Sequence, residues 1–139
     1  MLQNFDAPTG ESSCVRRTRS NTPLQALTTL NEPVFLEAAR ALALRTLRHG
    51  GKTQEKRLNY AFRRCVSREP SQAEIVKLLN FFDRQQRRLA EGWVSPWDMA
   101  GYNTSALLKL PKEITPVQLA AWTAVSRVLL NLDETITKE

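Results

Sequence analysis

The stretch from Val117 to Leu132 constrains this chain more than any other. Most of its residues are apolar, and Thr123, Arg127 and Asn131 recur at i, i+4 and i+8 as one narrow polar stripe. That spacing is the period of an α-helix, and a helix with so little polar surface must be covered by other elements over most of its circumference. The preceding Thr115-Pro116-Val117-Gln118 supplies an N-cap threonine, a proline at the first helical position and a glutamine able to close a capping box. The expectation is a last helix over 115–132, packed among partners supplied by earlier segments.

Those partners are legible as helices. Thr22-Pro23-Leu24-Gln25 repeats the Thr-Pro-x-Gln start and opens a short helix that ends near Asn31. Pro33 starts a second through Val34, Phe35, Ala38, Ala39, Leu42 and Leu47, which stops at Gly50-Gly51; being apolar almost all round, it reads as central. From Gln54 to Arg68, Leu58, Ala61, Phe62, Cys65 and Val66 have the i, i+3, i+4, i+7, i+8 spacing of one buried face. Pro70 stops that helix. Ser71 as N-cap and Glu74 reaching back open a fourth, with Ile75, Leu78, Leu79 and Phe82 toward the core and Gly92 at its end.

Residues 1–21 are rich in Ser, Thr, Gly and Arg without an apolar period, and read as an irregular arm. The stretch 93–114, with Pro96, Gly101 and Pro111, reads as a long loop, and 133–139 as a tail. At 139 residues the chain is the size of one domain. The fold class expected is mainly α: an arm, four helices within 22–92, a long loop and a last helix, packed as an orthogonal or bundle-like domain.

Composition removes several functions. No apolar run approaches the roughly 18 residues of a membrane span. The start Met1-Leu2-Gln3-Asn4-Phe5-Asp6 has neither the basic nor the apolar part of a signal peptide, so the expected location of the chain as written is the cytoplasm. Cys14 and Cys65 form no CxxC or CxxCH pattern, so no metal, iron–sulfur or haem ligand set is expected, and no cofactor. The net charge is +6, which favours an anionic partner over a cationic one.

Phe5-Asp6-Ala7-Pro8, Ser13-Cys14-Val15-Arg16-Arg17 and the run from Arg19-Ser20-Asn21-Thr22-Pro23-Leu24-Gln25 to Leu30-Asn31-Glu32-Pro33-Val34-Phe35 resemble the C-terminal part of the planctomycete-specific domain one family, domain of unknown function 1553. The resemblance returns at Ala121-Trp122-Thr123-Ala124-Val125 and from Arg127 through Asn131 to Asp133-Glu134, and more weakly at Phe62-Arg63-Arg64 with Arg68-Glu69-Pro70 and Glu74. It singles out Thr22, Pro23, Leu24, Asn31, Pro33, Trp122, Asn131, Asp133 and Glu134 as motif residues. The sequence departs from the family pattern at Thr135, where an aromatic residue is usual, and in a longer 93–112 loop. The resemblance implies that the chain is the last part of a larger family domain, whose upstream part or multidomain parent is its partner. The resemblance also implies that larger members are typically exported proteins in which this domain follows a planctomycete-type cytochrome c domain and another domain of unknown function, and it implies no established activity; no haem-binding residue lies in this chain.

Residues 14–88 hold sixteen Lys or Arg, thirteen of them Arg, against six Asp or Glu; the remainder holds four against eight. A face for nucleic acid or another polyanion is one reading, but no recognition motif or aromatic stacking platform accompanies the charge, and the plainer reading is solvated helix surface. Arg16, Arg17, Arg19, Asn21 and Arg127 are the candidates for anion or partner contact; the alternative is that they tie the arm to carbonyls and carboxylates. Asn21 and Asn31 also read as cap and turn residues. Cys65 reads as a core residue, Cys14 as either a reactive thiol or half of a disulfide, and His49 as a C-terminal cap. Asp133 and Glu134 are adjacent and cannot act as a facing acid–base pair; Arg127, Asn131 and Glu134 read instead as a buried polar strip. Asn103-Thr104-Ser105 is a glycosylation sequon by pattern alone.

The functional expectation is a non-catalytic helical structural or interaction module, with no catalytic residue assigned. The alternatives are a basic polyanion-binding protein, and part of an enzyme whose site upstream residues complete.

Overall fold

A computed structural model describes residues 27, 28, 30–99 and 114–136 of the chain. Six helices follow in order: α1 (Pro33–His49), α2 (Gln54–Val66), α3 (Gln72–Ala90), α4 (Pro96–Met99), α5 (Pro116–Leu130) and α6 (Asp133–Ile136). No strand occurs among the described residues. Leu27, Thr28, Leu30 and Asn31 are also helical, and the Asn31 side-chain amide donates to the Leu27 carbonyl (2.9 Å), the turn-closing role expected of it. The arm, with Cys14, and the sequon lie outside the described residues, as do Thr22, Pro23 and Leu24.

Local chemistry sets the helix starts, at Ser71 and Thr115 as the sequence predicts and at Thr53 in addition. The Thr53 hydroxyl accepts from the Lys56 N–H at the head of α2. Ser71 with Glu74, and Thr115 with Gln118, each form a complete capping box, so orphan donors at the first turns of α3 and α5 are satisfied. The α2 helix ends where Ser67 takes a left-handed conformation (φ 66°) and its N–H donates to the Arg63 carbonyl.

The hub is α5. Nine of its residues are buried, including Leu119, Trp122, Val125 and Leu129, and it packs against α1, α3, α4 and α2. The Trp122 ring lies tilted against Phe82 of α3, their centroids 4.9 Å apart. The face read for α2 is the one found, with Leu58, Ala61, Phe62 and Cys65 in the core.

Three expectations need correction. The helix 33–49 is not central: it buries a single face of Ala39, Ala43, Thr46 and Leu47 and leaves Val34 59% exposed. Its apolar character reflects alanines, and small residues serve close helix approach as well as full burial; α1 makes its most extensive contact with α5. The expected loop 93–114 contains the helical turn α4, whose Met99 joins the edge of the core. The expected tail is helical over α6, and Thr135 donates its hydroxyl to the Leu129 carbonyl at 2.7 Å, fastening this turn to the end of α5.

Candidate functional site

The most organised polar cluster is built around Arg68, just past the C-terminus of α2. Its Nε and Nη2 donate to the two carboxylate oxygens of Glu134 on α6 at 2.8 and 2.7 Å. Its Nη1 and Nη2 donate to the two oxygens of Glu74 on α3 at 3.0 and 2.8 Å, and Nη1 also donates to the Glu69 carbonyl at 3.1 Å. All five N–H groups of the guanidinium are thereby used. The same group lies over the buried Phe62 ring, 4.9 Å from its centroid. Glu74 is shared with the capping box: one of its oxygens accepts the Ser71 N–H (2.7 Å) and hydroxyl (2.8 Å). One arginine thus ties the end of α2 to the start of α3 and to α6.

The electrostatics follow from this geometry. Hydrogen bonds from Arg68, and after them the Ser71 N–H, hold the Glu74 carboxyl down at about 2. Hydrogen bonding to Arg68 likewise lowers the Glu134 carboxyl, and the two carboxylates raise the Arg68 guanidinium, Glu134 the more strongly. An unfolded chain binds the Glu74 proton near 4.5, the folded one only near 2. Below about 4.5 the unfolded state therefore holds more protons, and stability falls as the pH falls from there toward 2. Urea midpoints between pH 6 and pH 2.5 should show this decline, and Glu74→Gln or Arg68→Ala should make it shallower. An unchanged slope in both variants would contradict the coupling.

The expected strip of Arg127, Asn131 and Glu134 does not form, because Glu134 is engaged by Arg68. Arg127 instead donates from Nη2 to the Leu30 carbonyl, and its Nε is buried without a hydrogen-bond partner among the described residues. It borders a cavity of about 300 Å³ with Leu30, Phe81, Gln85, Arg88, Met99, Ala124 and Val128. Thr123 turns inward and donates to the Leu119 carbonyl at 2.8 Å. Asn131 is the C-cap of α5, with its N–H donating to the Val128 carbonyl at 3.1 Å. Of the other candidates, Arg16, Arg17, Arg19 and Asn21 lie outside the described residues. Asp133 opens α6 beside Glu134, Pro33 opens α1, and Cys65 lies in the core.

Arg68 was not among the site residues read from the sequence. Its partner Glu134 lies 66 positions away, a separation that no local pattern reports. The available signal was the pairing of an Arg68-Glu69-Pro70 helix stop with a glutamate already assigned to a capping box. Among the described residues no group of three or more His, Cys, Asp or Glu could hold a metal ion, and no helix is long and apolar enough to cross a membrane.

Residues 1–82, more than half of the chain, match the family PSD1, described as a protein of unknown function (DUF1553). The closing run 121–134, where the resemblance is also expected, lies beyond the matched residues. No curated protein and no solved structure matches the chain.

Proposed function

This chain belongs to the DUF1553 family, and from that premise we propose that it works as an α-helical structural or interaction module rather than as a catalyst. The observation that carries the reading is how its best-ordered polar groups are employed. The five donors of Arg68 close on Glu74, Glu134 and a backbone carbonyl, and so hold three parts of the chain together. Arg127, the described member of the anion-contact set, likewise spends an Nη on the backbone of Leu30. A guanidinium saturated like that of Arg68 braces a scaffold; a reacting group needs an unoccupied position facing substrate.

The partner of such a module is another protein segment, and the natural candidate is an upstream segment from a member of the same family. Leu27, Val34 and Trp93, each more than half exposed, supply apolar surface for that contact. The test mixes this chain with a separately produced upstream segment of a longer family member, followed by calorimetry and light scattering. A one-to-one complex with a higher unfolding midpoint than the free chain is expected. Two species that stay independent at tens of micromolar would refute the partner assignment.

A further inference from the structure

The outer face of α2 carries a groove of about 590 Å³, lined by Gly50, Lys56, Asn59, Tyr60, Arg63, Arg64 and Glu69. Helical spacing builds it. Positions 56, 59/60 and 63/64 are one stripe at i, i+3/i+4 and i+7/i+8, about 12 Å from end to end at a rise of ~1.5 Å per residue. Three of its side chains are cationic and one is an aromatic ring placed between them. The Arg64 guanidinium lies over the Tyr60 ring, 5.4 Å from its centroid, so the fork covers one face of the ring and adds its own plane and positive charge to the groove. The Lys56 stem passes over Gly51, where a side chain would stand 3.3 Å from Lys56 Cβ.

Two groups in the groove lack a strong partner of their own. The one anion on its rim among the described residues, Glu69, approaches Arg63 no closer than 3.8 Å, and both side chains are mainly exposed (64% and 81%), so that pair is weak and easily displaced. Asn59 Oδ1 is buried and accepts no hydrogen bond among the described residues.

We propose that this groove binds a nucleotide unit: a phosphate held by Arg63 and Lys56, with the attached flat ring against Tyr60 and Arg64. Phosphate suits a forked guanidinium beside a flexible ammonium. A flat ring suits a tyrosine–arginine surface, the combination by which proteins hold single-stranded nucleic acid. The inference goes beyond the scaffold reading and does not depend on it: the two meet only at Glu69, whose backbone carbonyl accepts from Arg68 while its side chain stands on the groove rim.

The probe is a fluorescently labelled twelve-nucleotide thymidine strand, titrated with the full chain in an anisotropy measurement at low salt. The strand should bind, with a logarithmic salt slope of about −0.7 from the one phosphate that Arg63 and Lys56 neutralise. Tyr60→Leu should weaken binding by roughly fivefold or more through the lost stacking, while Tyr60→Phe retains it. Arg63→Ala should weaken it and shallow the slope. Glu69→Gln should strengthen it by about twofold, a gain that a poorly folded variant cannot mimic. Arg87→Ala, which removes the same charge from the exposed last turn of α3, should change it less than twofold. Equal losses for Arg63→Ala and Arg87→Ala, or no effect of Tyr60→Leu, would overturn the site in favour of diffuse charge. Competition separates the sources of the unit. Displacement by thymidine monophosphate assigns a free nucleotide, and resistance to it with retained strand binding assigns a strand. Displacement by inorganic phosphate as effective as by the nucleotide would show that the ring is not held, and would also overturn the proposal.

Discussion

Replacing Trp122 with alanine should remove about 3–5 kcal/mol of folding stability, the cost expected when a large buried aromatic leaves a cavity that its neighbours only partly fill. Trp122 is the largest fully buried side chain among the described residues, 1% exposed, at the centre of the helix that the five others contact. Its ring lies against Phe82, so the variant also loses an aromatic contact between α5 and α3. A domain of this size has about 5–15 kcal/mol in total, so Trp122→Ala will stand near or below its folding threshold. Trp122→Phe keeps an apolar ring in the same space and should lose less, leaving a measurable urea transition. Both variants lack the buried fluorophore, leaving only the more exposed Trp93 (76%) and Trp97 (38%), so their unfolding is followed by the helical circular-dichroism signal. A loss under ~1 kcal/mol for Trp122→Ala would show that α5 is not the hub of the fold.

The centrality of α5 could be read from the chain because a polar stripe three residues long on an apolar helix has one physical solution, which is burial on the remaining faces. The capping boxes at Ser71 and Thr115 were legible for a different reason: donor and acceptor are three residues apart, so the whole interaction lies within one window of sequence. The core face of α2 follows from periodicity in the same way. What could not be read are interactions whose partners are remote. Arg127 reaches a carbonyl 97 positions away and Arg68 a carboxylate 66 positions away. Either arginine, seen in sequence, is a cation without an address, and the strip drawn from Arg127 to Glu134 paired the nearest available charges in place of the ones that the fold brings together. The alanines of α1 misled in a related way. Alanine carries little information on whether a helix is surrounded or merely approached closely on one side, and Ala39 and Ala43 mark the second case. The four-residue turn α4 is too short to leave a period at all. Tyr60 is not legible as an aromatic platform in the sequence because its basic neighbours at i−4, i+3 and i+4 gather around it only once α2 is wound.

The junction between α1 and α2 makes the second large prediction. Gly50 is buried, its N–H donates to the Thr46 carbonyl at 2.8 Å, and its φ of −77° is open to any residue. The constraint is space. A Cβ at this position would stand 2.5 Å from the Thr46 oxygen and 2.9 Å from Arg57 Cα, both backbone atoms that cannot swing aside. Gly50→Ala must therefore push the end of α1 away from α2, and overpacking of this kind costs about 1–3 kcal/mol. Gly92 gives the contrasting case: a Cβ there meets nothing within 4 Å, but φ is +78°, so alanine is penalised through the backbone alone, by about 1–2 kcal/mol. The two variants differ in what they disturb. Because Gly50 also lines the groove on α2, Gly50→Ala should speed amide exchange around residues 46–57, whereas Gly92→Ala should leave that region protected and act near the end of α3. If Gly50→Ala matches the wild-type unfolding midpoint with unchanged exchange across 46–57, the close approach of α1 and α2 is not what fixes this corner of the fold.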